Sequence, residues 1–447
     1  MTTCLDISNF IAEKFTTMKK LLFLLALFIP VFLVGQPCLP GGITFYQQSE
    51  IDNFQTDFPN CTEIVGDVTI RGADIVNLAG LNVINSIIGS LNIKDNFSLT
   101  SLSGLDSLGA IGGYLWISDH AALANLTGLE KLTSINGFCL IGNNAVLTSL
   151  TGLNNLTHLG ALEINENPML SSLSGLGNVV KIESNLSVTE NAMLNDLSGL
   201  NELDSIVGPI YFAQNDNLTS LTGLNDLKYI GGDVDIILNN ALINFTGLEN
   251  LTTVGGHIWI ADNAALKSLS GLYNLTSING YLMLKYNVEL NNIKGLDNIE
   301  AASIDSLIIV DNYSLNSCVT KSICNFLASP GGNIVIQNNA PGCNSQDEVE
   351  KDCEANAIIE QTSPLKLRTS PNPCIASTTI QYELDQPETV RISFYNQFNE
   401  LVDVIEENQI KGLQKMIWRP GKIAQGIYYF RLQAGGYEDS GKIVFMR

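Results

Sequence analysis

The sequence predicts a mainly β protein, in which a parallel β-solenoid of about 12 coils of 24 residues precedes a small antiparallel β-sandwich. Three observations support this prediction: a long repeat, leucines at every third residue within each copy, and short alternating strands near the C-terminus. Ten Gly-Leu pairs mark the repeat, and successive glycines lie 24 residues apart except for one step of 23. These glycines are Gly80, Gly104, Gly128, Gly152, Gly175, Gly199, Gly223, Gly247, Gly271 and Gly295.

The clearest copy of the repeat runs from Gly255 to Ile278 and shows how one coil is built. In Ile258-Trp259-Ile260 the apolar residues alternate with an outward position, which is the period of a strand. Leucines then follow at every third residue, from Leu266 to Leu275. Because neither a helix nor a strand has this period, we expect a coil that turns about a flattened apolar core. The glycines are expected to supply positive φ angles at its corners.

An asparagine lies three residues after the second strand residue in nearly every copy. Stacked at the strand spacing of about 4.8 Å, these side chains should form a ladder in which the amides bond each other and the turn backbone. The ladder residues are Asn96, Asn144, Asn167, Asn191, Asn215, Asn239, Asn263, Asn287, Asn312 and Asn339.

The charge of the chain is uneven. The formal net charge is −22 at pH 7, and the acidic excess lies before residue 365, whereas residues 365–447 are nearly neutral. A nucleic-acid partner is therefore disfavoured, since phosphate binding needs a basic surface. The acidic surface is expected to keep a leucine-rich protein soluble. Calcium held by Asp and Asn turns is the alternative, although no EF-hand or nonapeptide calcium spacing occurs.

Residues 1–35 are typical of a secretory signal peptide. Met18-Lys19-Lys20 forms a basic region, and the apolar run Leu21–Gly35 is too short, and too broken at Pro30, for a membrane span. Met18 is an alternative translation start. Cleavage of the signal peptide is expected between Gly35 and Gln36. Because Gln36 rather than a cysteine follows the cleavage point, a lipoprotein anchor is not expected. Export permits disulfides in the mature chain.

The cysteines cluster at the two ends of the repeat. Residues 36–64 are predicted to be an N-terminal cap, stapled by Cys38 and Cys61, before the repeat solenoid of residues 65–330. Residues 331–354 are predicted to hold the last coil and a Cys-rich C-terminal cap. Short helices are predicted near 319–327, just before this segment, and near 346–354, within it. The four cysteines at this end are Cys318, Cys324, Cys343 and Cys353. They allow three pairings, and the sequence does not choose among them. Cys139 occupies an inward position and is predicted to be a buried thiol.

The period ends after a linker at residues 355–369, and residues 370–447 have a different pattern. Short apolar runs now lie between turn signals, which is typical of a small β-sandwich. The predicted strands are 379–384, 390–395, 401–405, 415–418, 427–432 and 442–445.

The C-terminal region resembles a known export domain. Ser370-Pro371-Asn372-Pro373, Val390–Val402, Trp418, Gly426-Ile427-Tyr428 and Lys442-Ile443-Val444 together resemble the type A C-terminal sorting domain of type IX secretion. The resemblance implies that residues 370–447 form an Ig-like sandwich. It also implies that they engage the type IX machinery, which exports cargo across the outer membrane of Gram-negative bacteria. Cys374 departs from the apolar residue that is more usual in the family.

The repeat itself resembles receptor L-domain repeats and, slightly less closely, leucine-rich repeats of the internalin kind. The residues that fit the leucine-rich pattern are Leu156, Leu159, Leu162, Ile164, Asn167 and Leu170. The glycine before the strand and the disulfide-flanked caps favour the L-domain form. The resemblance implies a right-handed solenoid with a parallel sheet along one face, and both families bind proteins or glycans.

Several outward strand positions hold aromatic residues, which would lie together on the sheet face in two patches, near residues 114–140 and 257–283. Exposed aromatics suit contacts with a protein or stacking on sugar rings. The alternative is that aromatics occur here for their high β-propensity alone. The candidate ligand-binding residues are Tyr114, Trp116, Phe138, Tyr211, His257, Trp259 and Tyr281, beside Met283.

We therefore expect a secreted or cell-surface adhesion protein without enzymatic activity, cofactor or metal. The three histidines lie in separate coils, so no zinc spacing occurs. A structural surface or stalk module is an alternative. A polysaccharide-acting β-helix enzyme is a weaker one, because Asp233 and Asp235 are the only close outward carboxylate pair and Lys285 lies two coils away.

Overall fold

A computed structural model shows a parallel β-solenoid and a small antiparallel β unit. It describes residues 37–360, 365–396, 400–421, 423–435 and 437–446. The predicted signal peptide, including Met18, lies outside the described residues. The chain divides into two compact units, Met1–Val349 and Glu350–Arg447. Among the helices of the described ranges, none combines the length and the apolar character needed to cross a membrane.

The main sheet of the solenoid is parallel, and each of its strands comes from one coil. Within the described residues it holds thirteen strands, against about twelve coils predicted. In order they are β2 (Ile43–Phe45), β4 (Val68–Ile70), β6 (Leu91–Lys94), β8 (Leu115–Ser118), β9 (Ser134–Gly142), β10 (His158–Asn165), β12 (Leu186–Thr189), β14 (Ile210–Ala213), β16 (Val234–Ile237), β18 (Ile258–Ala261), β19 (Gly280–Lys285), β20 (Ile304–Val310) and β21 (Ile334–Gln337).

A second row of short parallel strands precedes the main sheet in the coil. The long strands β9 and β10 run through both rows and so join them. The short strands are β1 (Pro37–Cys38), β3 (Glu63–Ile64), β5 (Ser86–Ile87), β7 (Ala110–Ile111), β11 (Lys181–Ile182), β13 (Ser205–Ile206), β15 (Tyr229–Ile230) and β17 (Thr253–Val254).

The interior of the solenoid is the leucine-lined core that the three-residue spacing predicts. In the copy from Gly255 to Ile278, Leu266, Leu269 and Leu275 are fully buried and Leu272 is 3% exposed. Each coil buries one such set against the sets above and below, so the core is continuous along the repeat. Cys139 is buried in it as a free thiol, and burial raises the pKa of that thiol to about 12.

Two kinds of corner close each coil. Eight of the ten repeat glycines have φ between 109° and 120°, as predicted, whereas Gly80 and Gly295 lie in short 3₁₀ turns. At Gly104 a Cβ would collide with the backbone of Leu78 in the preceding coil, so glycine is also needed for close stacking. The second corner is the residue before each ladder residue from Asn96 to Asn339, with φ between 51° and 64°. Sequence reasoning did not identify this left-handed position.

The predicted asparagine ladder is present and buried. Asn215 is representative: its Oδ1 accepts from the backbone N–H and the Nδ2 of Asn191 at 3.1 and 3.4 Å. Its Nδ2 donates to the carbonyl of Val188 and to Asn239 Oδ1, at 2.9 and 3.2 Å. Each amide therefore satisfies backbone groups of the neighbouring turn and links the ladder residues of adjacent coils.

His120 fills the one rung between Asn96 and Asn144 that lacks an asparagine. Asn96 Nδ2 donates to His120 Nε2 at 3.4 Å, and His120 Nδ1 contacts Asn144 Oδ1 at 3.0 Å. Because Asn144 Oδ1 only accepts, the proton lies on Nδ1, and the neutral imidazole preserves the direction of the ladder. Burial lowers the pKa of His120, while the hydrogen bond to Asn144 acts in the opposite direction.

Disulfides staple both ends of the solenoid. Cys38 pairs with Cys61, as predicted, beside the short helices α1 (Gln48–Asp52) and α2 (Phe54–Asp57). Of the three pairings open at the other end, the structure has Cys318–Cys343. This leaves Cys324 and Cys353 for each other, and both are disulfide-bonded.

The ladder ends at the C-terminal cap. Asn339 Nδ2 donates to the carbonyl of Cys343 at 2.9 Å, where an earlier rung would meet the next asparagine. The two predicted helices of this region are α3 (Lys321–Ala328) and α4 (Gln346–Glu360), and α4 continues into the segment predicted as a linker.

The described part of the C-terminal unit has two antiparallel sheets, of three and four strands. Every predicted strand falls within an observed one. The strands are β22 (Arg368–Ser370), β23 (Thr378–Leu384), β24 (Glu388–Asn396), β25 (Leu401–Gln409), β26 (Gly412–Trp418), β27 (Gly426–Ala434) and β28 (Tyr437–Phe445).

Both sheets contribute to one buried core. Trp418 stacks on Phe394 at a centroid distance of 4.5 Å, and the Trp418 indole N–H donates to Asp403 at 2.9 Å. Asn372 connects two of the stretches that resemble the sorting domain, residues 370–373 and 442–444. Its Nδ2 donates to the carbonyl of Lys442 at 2.6 Å, and its Oδ1 accepts the N–H of Val444 at 2.8 Å.

Substitution of His120 tests the ladder. We expect His120→Leu to lower the free energy of unfolding by about 2 kcal/mol, because the buried Asn144 Oδ1 loses its donor. His120→Asn restores both directions of hydrogen bonding and should be close to wild type. Urea unfolding followed by circular dichroism at pH 8 measures the difference; equal losses in both variants would contradict the role of the rung.

The same variants predict a pH dependence. The folded-state pKa of His120 lies below the ordinary value of 6.5, so the folded chain binds fewer protons than the unfolded chain. The contribution of His120 is therefore complete above about pH 6.5 and is lost as the pH falls through the folded-state pKa. His120→Asn should remove this part of the acid sensitivity, whereas His158→Asn, at an exposed histidine, should leave it unchanged.

Candidate ligand-binding sheet face

The outward positions of the main sheet form one face of the solenoid. Along β8, Leu115 and Ile117 are fully buried while Trp116 between them is partly exposed, and the same alternation places Trp259 outward in β18. Both indoles therefore lie on the face rather than in the leucine core. The in-register pairing of neighbouring strands then brings the outward residues of successive coils side by side.

The first aromatic patch consists of Tyr114, Trp116 and Phe138. The Tyr114 and Phe138 rings stack at a centroid distance of 4.6 Å with 4° between their planes. The Trp116 indole N–H donates to Ser118 Oγ at 2.8 Å, and Lys94 Nζ lies 5.4 Å from the Trp116 ring centroid. This patch is aromatic with a cation at its edge.

The second patch consists of Asp233, Asp235, His257, Trp259 and Tyr281. His257 Nδ1 lies 2.9 Å from Asp233 Oδ1, and His257 Nε2 lies 3.0 Å from Asp235 Oδ1. The imidazole also stacks on the Tyr281 ring at a centroid distance of 4.1 Å. The backbone N–H of His257 donates to Asp233 Oδ1 at 3.0 Å, which holds this carboxylate against the histidine.

Two groups of the second patch, Asp235 and Tyr281, have a pKa above the ordinary value. Burial raises the pKa of Asp235; the hydrogen bond and the charge of His257 oppose this, and the Asp233 charge adds to it. Burial also raises the pKa of Tyr281, with further contributions from the charges of Asp235 and Asp233. The patch is thus aromatic and acidic, in contrast to the first.

An apolar row continues from the second patch over the last four strands of the main sheet. We define it by Trp259, Met283, Ile308 and Val335, which pair in register on β18 to β21 and are each partly exposed. Parallel strands that are apolar on both faces are typical of sheets that are covered on both sides. Here the outward side chains of the row remain partly exposed among the described residues.

The remaining candidate, Tyr211, belongs to the same line of positions. Tyr211 pairs with Asp235, and Asp235 pairs with Trp259, so Tyr211 lies two strands before the apolar row and is 42% exposed. The seven candidates thus fall into two groups: Tyr114, Trp116 and Phe138 in one, and Tyr211, His257, Trp259 and Tyr281 in the other.

Sequence reasoning missed Ile308 and Val335, as well as the contact of His257 with both carboxylates. Ile308 and Val335 were missed since the repeat lengthens here: successive ladder asparagines lie 25 residues apart from Asn287 to Asn312 and 27 apart from Asn312 to Asn339. Alignment on the ladder asparagines rather than on a fixed period would have placed both residues on the face.

The chemistry that this face offers is contact, stacking and hydrogen bonding. Asp233 and Asp235, the pair considered for polysaccharide hydrolysis, both have an oxygen committed to His257. Across the ranges that the structure describes, no group of three or more His, Cys, Asp or Glu side chains could hold a metal ion. The Trp259 indole nitrogen is buried and has no hydrogen-bond partner within those ranges.

Comparison with known proteins agrees with the solenoid architecture. Residues 252–354 match the family model of the Receptor L domain, and this segment contains the whole apolar row. Receptor L domain is a binding-domain family and not an enzyme family. No curated protein matches the chain. The family match and the solenoid together suggest a ligand-binding surface protein, and the disulfides fit an extracellular or secreted one.

Proposed function

We propose that this protein is a secreted or cell-surface recognition protein that binds a protein ligand, without catalysis, through the outward face of its main sheet. The observation that carries the proposal is the apolar row of Trp259, Met283, Ile308 and Val335 on four adjacent strands, open on its outer side. Apolar and aromatic side chains in a contiguous, partly exposed group are typical of protein interfaces.

A protein ligand is preferred to a glycan for two reasons. The apolar row has no polar side chain between its members, whereas sugar binding needs hydrogen-bonding groups beside each ring. In addition, the row lies within the segment that matches the Receptor L domain, a match that favours protein ligands. The polar groups of the second patch border one end of the row and would supply orientation.

A binding screen with matched variants tests this function. The full mature chain is screened against arrays of extracellular proteins and of glycans, and its best protein ligand is measured by surface plasmon resonance. Trp259→Ala with Met283→Ala should weaken binding by about 100-fold, since interface aromatics are worth 2 kcal/mol or more. Tyr273→Ala, at an aromatic that is 49% exposed away from the main sheet, should bind as wild type.

Unchanged affinity of the double variant, with an unchanged circular dichroism spectrum, would remove the apolar row from consideration. Ligands found only on the glycan array would favour carbohydrate recognition instead. Cleavage of a polysaccharide, abolished by Asp235→Asn, would revive the enzymatic alternative.

We further propose that residues 370–447 direct export by the type IX route, so that the solenoid is the cargo. Support comes from the sorting-domain motifs in the sequence and from the seven antiparallel strands in two sheets. Both Trp418 and Asn372 belong to the residues that resemble the sorting domain. Trp418 lies in the buried core, and Asn372 bonds the last strand.

Truncation tests the export route. In a Gram-negative host with the type IX machinery, the full chain should reach the cell surface or the medium, and the chain without residues 370–447 should remain periplasmic. Immunoblots of cell fractions measure the distribution, and a host that lacks the type IX machinery provides the control. Export of the truncated chain, or export from the control host, would contradict the proposal.

A further inference from the structure

The bridge of Asp233, His257 and Asp235 is more specific than a binding surface requires. Both ring nitrogens of one imidazole face carboxylate oxygens, at 2.9 and 3.0 Å. A neutral imidazole has one N–H, so it can donate to one carboxylate only, and its other nitrogen would direct a lone pair at the second. The imidazolium donates to both. The arrangement is therefore that of a cation held between two anions.

The groups around His257 are those of a cation site. Asp233 and Asp235 contact it from the preceding coil, and Tyr281 stacks on it from the next. The nearest basic side chain on the next strand, Lys285, has its Nζ 4.7 Å from the Tyr286 ring centroid. Carboxylates beside aromatic rings recognise ammonium and guanidinium groups.

We propose that the second patch is a proton-gated site for a basic side chain, lysine or arginine, of the protein ligand, and this inference rests on the proposed function. When His257 is an imidazolium, it neutralises one of the two carboxylates and occupies both. When His257 loses its proton, one carboxylate faces a lone pair of the imidazole instead of an N–H, and the net charge of the three side chains changes from −1 to −2. A basic group then restores the balance.

The carboxylates are accessible enough for this role. The Asp233 and Asp235 side chains are 44% and 23% exposed, whereas the His257 side chain is 20% exposed. The apolar row begins at Trp259, the outward neighbour of Asp235 across β16 and β18. A ligand segment with a basic residue beside apolar ones would therefore match both parts of the surface. A second copy of this chain is disfavoured as the ligand, since each chain carries a net charge of −22.

The test uses small probes of defined charge, so it does not depend on identifying the ligand. Nα-acetyl-lysine amide is titrated into the full chain labelled with ¹³C-methyl methionine, and NMR follows the Met283 methyl group, which is assigned with Met283→Leu. Nα-acetyl-norleucine amide has a similar side chain without the charge. Met193, an exposed methionine outside the main sheet, is the internal control.

At pH 7.5 the lysine probe should shift the Met283 signal, with an affinity about fivefold higher than at pH 5.5, as expected for one added charge near a screened surface. The norleucine probe should give no pH-dependent shift. His257→Gln should bind the lysine probe equally at both pH values, and His257→Lys should bind it weakly at both. Asp235→Asn should lower the affinity at pH 7.5.

Equal binding of the lysine probe at both pH values in the wild-type chain would overturn the proposal, and so would the same shifts with norleucine or no binding of either probe. These outcomes leave the proposed function standing if the Trp259→Ala, Met283→Ala variant still loses its protein ligand. Conversely, the lysine probe could bind more tightly at pH 7.5 while that variant still binds the protein ligand normally. This result would overturn only the role of the apolar row in the proposed function.

Discussion

The buried ladder of side-chain hydrogen bonds is the interaction on which the solenoid depends. A typical amide of the ladder, such as that of Asn215, bonds a backbone N–H and a carbonyl of the preceding coil and the ladder residue of the next coil. The turn can be buried only because these backbone groups are satisfied. His120 and the carbonyl of Cys343 show that the ladder requires donors and acceptors in one direction rather than asparagine itself.

This interior frees the outer face for chemistry. Leucines and the ladder hold the coils together, so the outward residues carry little of the packing and can differ from one coil to the next. The face consequently varies along its length: stacked aromatics with Lys94 near one end, polar residues such as Glu163 in the middle, and the second patch with the apolar row towards the other. Recognition is thus a property of position along the solenoid.

Much of the fold could be predicted because it follows from local spacing. The glycine and leucine periods, the ladder and the strands of the C-terminal unit are read directly from the residues, and the Cys38–Cys61 pair follows from their place around the cap. The pairing of Cys318 with Cys343 could not be predicted, because four cysteines lie in one cap and the sequence does not choose among their three pairings. The left-handed corner before each rung was missed because residues as different as Asp95, Leu238 and Tyr286 occupy it.

The candidate face was predicted less completely. The outward direction of Trp116 and Trp259 follows from alternation along a strand, but the contacts between coils depend on rotamers. His257 lies one period of 24 residues after Asp233, so these two residues occupy equivalent positions in adjacent coils. The contact of His257 with Asp235, 22 residues earlier, is diagonal, and the repeat period does not indicate it. Ile308 and Val335 were hidden by the longer coils near the C-terminal cap.

Hydroxyl-radical footprinting with mass spectrometry tests most directly whether the outward face of the main sheet is exposed in the free chain and binds the ligand. In the free chain, Trp259 and Met283 should be oxidised readily, whereas the fully buried Trp418 should react slowly. Bound ligand should protect Trp259 and Met283 and leave the exposed Tyr273 unchanged. Oxidation of Trp259 in the free chain as slow as that of Trp418, or no protection on binding, would contradict the account.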